Sequence, residues 1–142
     1  MATDNGMATP VPAVNPEVKV FWDATAEGRL LLPKCQDCAG LIWFPRPFCP
    51  QCGSLNIDWV QASGKGTIYS FTVNRRGAGD LVEYKDPVPY VLAYVELEEG
   101  PRIMTNIVGC DPDSLRIGQA VEVVFHDTGQ GSALYRFKPA GS

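Results

Sequence analysis

The chain has almost no histidine. One residue of 142, His126, is of this type, so histidine-built metal sites and histidine-driven proton transfer have little to work with. Basic residues are not in excess either. The 12 Lys and Arg against 16 Asp and Glu leave a net charge of −4, which argues against a protein whose affinity comes from neutralising nucleic-acid phosphates. No run approaches the ~20 apolar residues of a membrane span, and the first residues lack the basic-then-apolar order of an export signal. A cytoplasmic protein is expected. Also missing are a phosphate-cradling glycine loop, a Ser-x-x-Lys nucleophile and a His-Glu metal pair. With 45% hydrophobic residues and this length, the chain suits one ordinary domain, or a small module joined to a compact one.

Against these absences stand four cysteines in two tight pairs, Cys35-Gln-Asp-Cys38 and Cys49-Pro-Gln-Cys52. Each pair bends around an ion as a knuckle, the segment between closes a tetrahedron, and Gly53 takes the positive φ that such a turn favours. Zinc is the expected occupant, with iron in a rubredoxin-like site as the rival that four sulfur ligands do not separate from it. Two disulfides are the other reading, disfavoured without an export signal. Four thiolates fill a tetrahedral ion and leave no position for water or substrate, so the site is read as structural. The fifth cysteine, Cys110, stands alone between Gly109 and Asp111, which fits a reducing compartment.

Residues 1–15 contain prolines and small residues without periodicity and are expected to lack fixed structure. Residues 16–56 read as a helix plus a zinc ribbon, and residues 57–142 as a second module. Asn15-Pro16-Glu17 predicts an N-cap and a helix start, Gly28 its stop, with Val18, Phe21, Trp22 and Ala26 on one face. Arg29–Lys34 and Leu41–Phe44 are expected as the paired strands of the ribbon. Phe44-Pro45-Arg46-Pro47-Phe48 then predicts a stiff loop with flanking aromatics. From Ile57 the pattern alternates with period two. Five strands are expected, at Thr67–Val73, Tyr90–Leu97, Arg102–Val108, Ala120–His126 and Leu134–Lys138, with Ile68, Ser70 and Thr72 opposite Tyr69, Phe71 and Val73. Asp111-Pro112-Asp113-Ser114 predicts a single-turn crossover before the fourth. The fold class is therefore mainly β: a short N-terminal helix, a rubredoxin-like zinc ribbon, then a five-stranded OB-fold barrel.

Phe21-Trp22, Gly28-Arg29-Leu30-Leu31-Leu32, two knuckles around Phe44-Pro45-Arg46, and Gly64-Lys65-Gly66-Thr67-Ile68-Tyr69-Ser70-Phe71-Thr72 occur in that order. From about Glu17 to about Lys138 the chain resembles the acyl-CoA-associated OB-fold proteins with an N-terminal rubredoxin-like zinc ribbon. The resemblance implies an accessory subunit of a thiolase-fold enzyme, whether acyltransferase, thiolase or lipid-transfer-protein-like aldolase. The partner would hold the nucleophile or base, and this chain would help hold or channel the CoA thioester.

The residues themselves offer no strong catalyst. Cys110 and His126 are conceivable as a dyad, but a solvated histidine and a buried thiol are the simpler reading, so no catalytic residue is assigned. For the phosphates of a CoA ligand the candidates are Arg75 and Arg76, which open the long loop after the first barrel strand, together with Arg46 and Lys65. The Phe21-Trp22 face and the Phe44–Phe48 loop are the expected surface for the partner subunit. Two alternatives stay open. Tyr69, Phe71, Tyr90 and Tyr94 could stack the bases of a nucleic acid, and iron in the four-thiolate site would make a small electron carrier.

Overall fold

A computed structural model describes residues 7–76 and 88–141. Pro16–Val18 form a 3-10 turn that leads into α1 (Lys19–Ala26). The carbonyl of Asn15 accepts the Val18 N–H at 3.1 Å, but the Asn15 side chain makes no cap hydrogen bond. Proline sets the first turn here, and its ring supplies the helical φ that a capping side chain would otherwise support. Gly28, at φ 75°, lets the chain reverse so that the Arg29 N–H closes on the Ala24 carbonyl at 2.9 Å.

Phe21, Trp22, Ala24 and Thr25 of α1 are buried, with Val18 of the preceding turn, while Ala26 is exposed. The expected face was thus one residue off at its C-terminal end. Thr25 replaces Ala26 because its hydroxyl donates to the Trp22 carbonyl at 2.6 Å and accepts the Ala133 N–H at 3.0 Å, tying the helix to the last strand.

The ribbon ladder joins β1 (Leu31–Cys35) to β2 (Ile57–Gln61), antiparallel over five pairs from Leu31↔Gln61 to Cys35↔Ile57. Leu41–Phe44 was expected in this role, but Leu41 makes only an isolated bridge to Lys34. Pro45 and Pro47, lacking amide donors, end any ladder there, and the free donors of β2 take the place.

The second module is a closed barrel of β3 (Lys65–Asn74), β4 (Tyr90–Leu97), β5 (Arg102–Ile107), β6 (Ala120–Asp127) and β7 (Ala133–Pro139), in the order β3-β4-β5-β7-β6 with β6 returning to β3. All neighbours are antiparallel except β5 and β7, which meet in parallel at Ile107↔Phe137. This is the five-stranded OB-fold expected from the sequence, and the crossover before β6 does contain one 3-10 turn, Pro112–Ser114. Tyr69 is an extra residue on β3 between the pairs Ile68↔Val95 and Ser70↔Tyr94. That bulge reverses the side-chain alternation, so Phe71 and Val73 pack on the same core as Ile68 rather than opposite it.

One hydrophobic cluster runs through helix, ribbon and barrel: Phe21, Trp22, Leu30, Leu32, Ile68, Val91, Val95, Ile103, Val121 and Phe137 are all buried in it. A smaller one gathers Cys35, Ile42 and Cys49, with Ile57 against them. The ribbon therefore shares its larger core with the barrel and keeps a small one for the cysteines. Among the described residues no helix is long and apolar enough to cross a membrane.

Candidate metal centre and ligand surfaces

The first knuckle leaves β1 at Cys35, and the second lies in the loop before β2. Cys35 N–H donates to the Gly40 carbonyl at 2.9 Å, and Cys49 N–H to the Ser54 carbonyl at 2.8 Å. Each knuckle needs one left-handed residue: Ala39 at φ 63° in the first and Gly53 at φ 77° in the second. Asp37 and Ser54 bond side chain to side chain, pinning one knuckle to the other.

These turns bring the four sulfurs within 4.8 Å of one another. Cys35 Sγ lies 3.6 Å from Cys52 Sγ, and Cys38 Sγ 3.6 Å from Cys49 Sγ. A disulfide needs about 2.05 Å, so the paired-disulfide reading fails. Four thiolates at ~2.3 Å from a tetrahedral ion stand roughly 3.8 Å apart, which these spacings match. Cys35 and Cys49 are buried, and Cys38 and Cys52 are exposed at the mouth.

The electrostatics suit a cation. The Cys38 N–H brings the Cys35 thiol down to about 7 against the opposing effect of burial, and the Cys52 N–H lowers that of Cys49. At Cys52 the Ser54 N–H favours the thiolate, but the neighbouring thiols and burial outweigh it and push the group up to about 12. Four like charges this close do not all ionise unless a positive ion sits among them. The site is a four-cysteine zinc-ribbon centre, and its filled coordination shell suits a structural metal.

The four candidate cations do not form one patch. Lys65 and Arg75 stand at opposite ends of β3, separated by roughly 30 Å of strand. Lys65 borders a hollow of ≈600 Å³ whose lining also holds Glu96, Glu98 and Glu122, a field unfavourable to phosphate. Arg46 donates Nε–H to the Phe44 carbonyl at 3.0 Å. Arg75 reaches Asp113 at 2.6 Å in an exposed ion pair, and Arg76 is exposed beside it. The loop they open continues through Gly77-Ala78-Gly79 to Asp86-Pro87, residues outside those described.

Phe21 and Trp22 are buried within this chain, Phe21 ringed by Trp22, Trp43, Phe44 and Tyr135 at centroid distances of 5.0 to 6.4 Å. They are core, which removes them from the expected partner surface; a helix this short holds its place only by packing that face inward. Phe44 and Phe48, each 44% exposed, remain on it.

Cys110 and His126 are not brought together. β5 ends at Ile107, opposite Phe137, and the chain turns at Gly109, φ 71°, before Cys110. His126 lies on β6 opposite Leu134, and among the described residues no hydrogen bond joins the two. His126 is buried, not solvated, with Arg136 Nη1 at 2.7 Å from its Nδ1. Burial and the charge of Asp111 raise the Cys110 thiol. The expected base-stacking set is also split: Tyr69 and Tyr94 face solvent, Phe71 faces the core, and Arg102 lies 3.8 Å over the Tyr69 ring.

Sequence reasoning missed the buried Arg136. Its signal was a lone cation inside the apolar strand Leu134-Tyr135-Arg136-Phe137. It missed too that the N-terminal segment is anchored. Residues 7–15 have no regular secondary structure, yet Met7 is buried and the Ala8 carbonyl accepts from Arg136 Nη2 at 2.6 Å.

Comparison with known proteins gives matching results for both modules. Residues 22–58 match the model of the ChsH2 rubredoxin-like zinc ribbon domain, and residues 59–126 that of the ChsH2 C-terminal OB-fold domain. A DUF35 domain-containing scaffold protein of Methanothermobacter thermautotrophicus is 40% identical over 113 residues, covering 75% of this chain and 83% of that one. The benzoylsuccinyl-CoA thiolase subunit BbsA of Thauera aromatica is 30% identical, covering 89% and 91%. A probable enoyl-CoA hydratase alpha subunit of Thermomonospora curvata is 37% identical over 92% of this chain, which spans 40% of that relative's length. Among solved structures, a chain of an Ltp2-ChsH2(DUF35) aldolase superposes with a TM-score of 0.79 at 36% identity, covering 92% of this chain and 99% of that one.

Proposed function

We propose, from the premise that this chain belongs to the DUF35 family of proteins joining a ChsH2-type rubredoxin-like zinc ribbon to an OB-fold, that it is an accessory subunit of an acyl-CoA-processing complex. Its partner is a thiolase-fold protein, in a hetero-oligomer. The observation that carries this reading is the likeness, over nearly the whole of both chains, to the ChsH2(DUF35) component of an aldolase. The thiolase-subunit relative supports it, as does the separation of Cys110 from His126.

The two modules divide the work. In residues 16–56 the metal holds the ribbon closed. Zinc is the ion we assign, bound by Cys35, Cys38, Cys49 and Cys52; it compensates the thiolate charge and takes no part in turnover. The ribbon offers Phe44 and Phe48 on a proline-stiffened loop, aromatic anchors of the kind that dominate subunit interfaces. In residues 57–142, Arg75 and Arg76 are the cations best placed for CoA phosphates. The Arg75–Asp113 pair is exposed on both sides and gives way readily to a phosphate partner. Arg46 lies within the aromatic loop, and Lys65 is the weakest of the four, for the acids around it. A cytoplasmic location suits five cysteines that carry no disulfide.

The test is purification of a tagged copy from its own cells, with the retained protein identified and both components assayed for acyl-CoA turnover. A thiolase-fold protein should be retained at fixed ratio, with turnover by the complex and none by this chain alone. Turnover by the isolated chain, abolished by Cys110→Ala or His126→Ala, would sink the reading.

A further inference from the structure

On the outer face of β4 and β5, Leu92, Tyr94 and Met104 are 36%, 43% and 47% exposed. They are neighbours: Tyr94 stands opposite Met104, and Leu92 opposite Asn106. Two hollows, of ≈380 Å³ and ≈210 Å³, share Leu92 and Met104 in their walls. They form one trough that runs from Thr72 on β3 across to Trp22 on α1, and its size suits a small-molecule site, for which ~300–1,000 Å³ is usual.

In an OB-fold the face of the second and third strands carries ligands, together with the loop joining the first two. Here those strands are β4 and β5, and the loop opens on Arg75 and Arg76. Asn74 pairs with Tyr90 and Thr72 with Leu92, so Arg75 stands roughly 10 Å along β3 from the level of Leu92. Among the described residues no carboxylate lines the trough, whereas three glutamates line the hollow beside Lys65. An anionic ligand is therefore favoured on this face. The trough also holds an unused acceptor. Asn106 Nδ2 donates to the Val91 carbonyl at 2.9 Å, which orients the amide and leaves Oδ1 without a partner among the described residues. An open acceptor beside apolar walls suits a ligand that joins amide N–H groups to hydrocarbon.

We propose that this trough holds the pantetheine arm of the CoA thioester, with the phosphates at Arg75 and Arg76. The inference rests on the reading of the chain as a subunit that helps hold acyl-CoA, and it gives that ligand a place on the barrel. An amide of the arm donates to Asn106 Oδ1. The dimethyl group and the acyl chain lie over Leu92 and Met104, where they remove apolar area from water. The phosphates take charge-assisted hydrogen bonds from the two guanidinium groups, which stay charged at all accessible pH.

The experiment titrates the full chain with butyryl-CoA and, separately, with 3′-phospho-ADP, which keeps the phosphates but lacks the arm. NMR follows the methyl resonances of Leu92 and Met104 and the backbone amides of Arg75 and Arg76. Both ligands should shift the arginine amides. Only butyryl-CoA should shift the two methyls, and it should bind at least about tenfold more tightly. Met104→Gln, of similar length at an exposed position, should weaken butyryl-CoA severalfold and leave 3′-phospho-ADP unchanged. Met104→Trp, which fills the trough, should bring butyryl-CoA down to the affinity of 3′-phospho-ADP while the partner subunit is still retained. Arginine shifts without methyl shifts, or butyryl-CoA affinity unaltered by Met104→Trp, overturn this site and leave the CoA reading standing. No saturation by either ligand below about 10 mM overturns both. Methyl shifts with oligothymidylate in place of butyryl-CoA, or loss of the partner in Met104→Trp, would make the face a nucleic-acid or subunit surface and overturn the ligand assignment.

Discussion

Cys49 shows what a single residue contributes in this molecule. Its buried sulfur is both a ligand and part of the ribbon's small core, so Cys49→Ser removes an anchor from the metal and an apolar contact from Ile42. The expected outcome is loss of bound zinc from about one ion per chain, measured by elemental analysis, because the binding free energy of such a site is folding free energy. Amide exchange should rise across the ribbon while β3 to β6, held by their own ladders, stay protected. Tyr135 gives a second test, in alkali. Burial pushes its hydroxyl up to about 12, whereas in the unfolded chain it ionises near 10. Between these values the folded protein keeps a proton that the unfolded chain has released, so stability falls as pH rises. The full contribution is present below pH ~10 and is lost toward pH ~12, at most about 3 kcal/mol in all. Tyr135→Phe should flatten that part of the curve of denaturation midpoint against pH; an unchanged slope would show that the ring reaches water.

Among elements, α1 illustrates how a face that reads as an interface becomes core. Its aromatics are spaced for one side of a helix, and only the placement of β7 decides what covers them. Phe21 is 0% exposed and touches ribbon and barrel rings together. Phe21→Ala should therefore cost about 3–5 kcal/mol in chemical denaturation, and Trp22→Ala should act through the fold as well. Phe48→Ala, at a position 44% exposed, should leave the melting temperature nearly unchanged and weaken the partner complex by ~2 kcal/mol, measured by calorimetric titration. Strand positions were legible because period-two alternation is a local signal: the five barrel strands begin and end within two residues of expectation. The alternation of β4 separates Val91, Ala93, Val95 and Leu97 from Tyr90, Leu92 and Tyr94, and the structure decides that the first set points inward. For β3 the separation itself was not legible, since nothing around Tyr69 marks a bulge; that depends on how closure of the barrel twists the strand against β4.

For the whole molecule, the surface cations decide whether the barrel handles the ligand. Arg75→Ala with Arg76→Ala should leave the complex with its partner intact and raise its KM for acyl-CoA severalfold, an effect that weakens with added salt. Unaltered kinetics would remove the CoA assignment and leave the scaffold. The sequence by itself determined the cysteine cluster, the barrel strand segments and the kinship of the chain. Those follow from spacings of a few residues: two Cys-x-x-Cys turns place four sulfurs around one ion whatever surrounds them. Tertiary structure alone decided which strand completes the ribbon, that Phe21 and Trp22 are core, that Lys65 and Arg75 stand apart, and that Arg136, His126 and Ala8 meet. Most of these rest on contacts between residues far apart in the chain, up to 128 positions for Arg136 and Ala8. Such contacts are set by how helix, ribbon and barrel share one core, which local spacing does not encode.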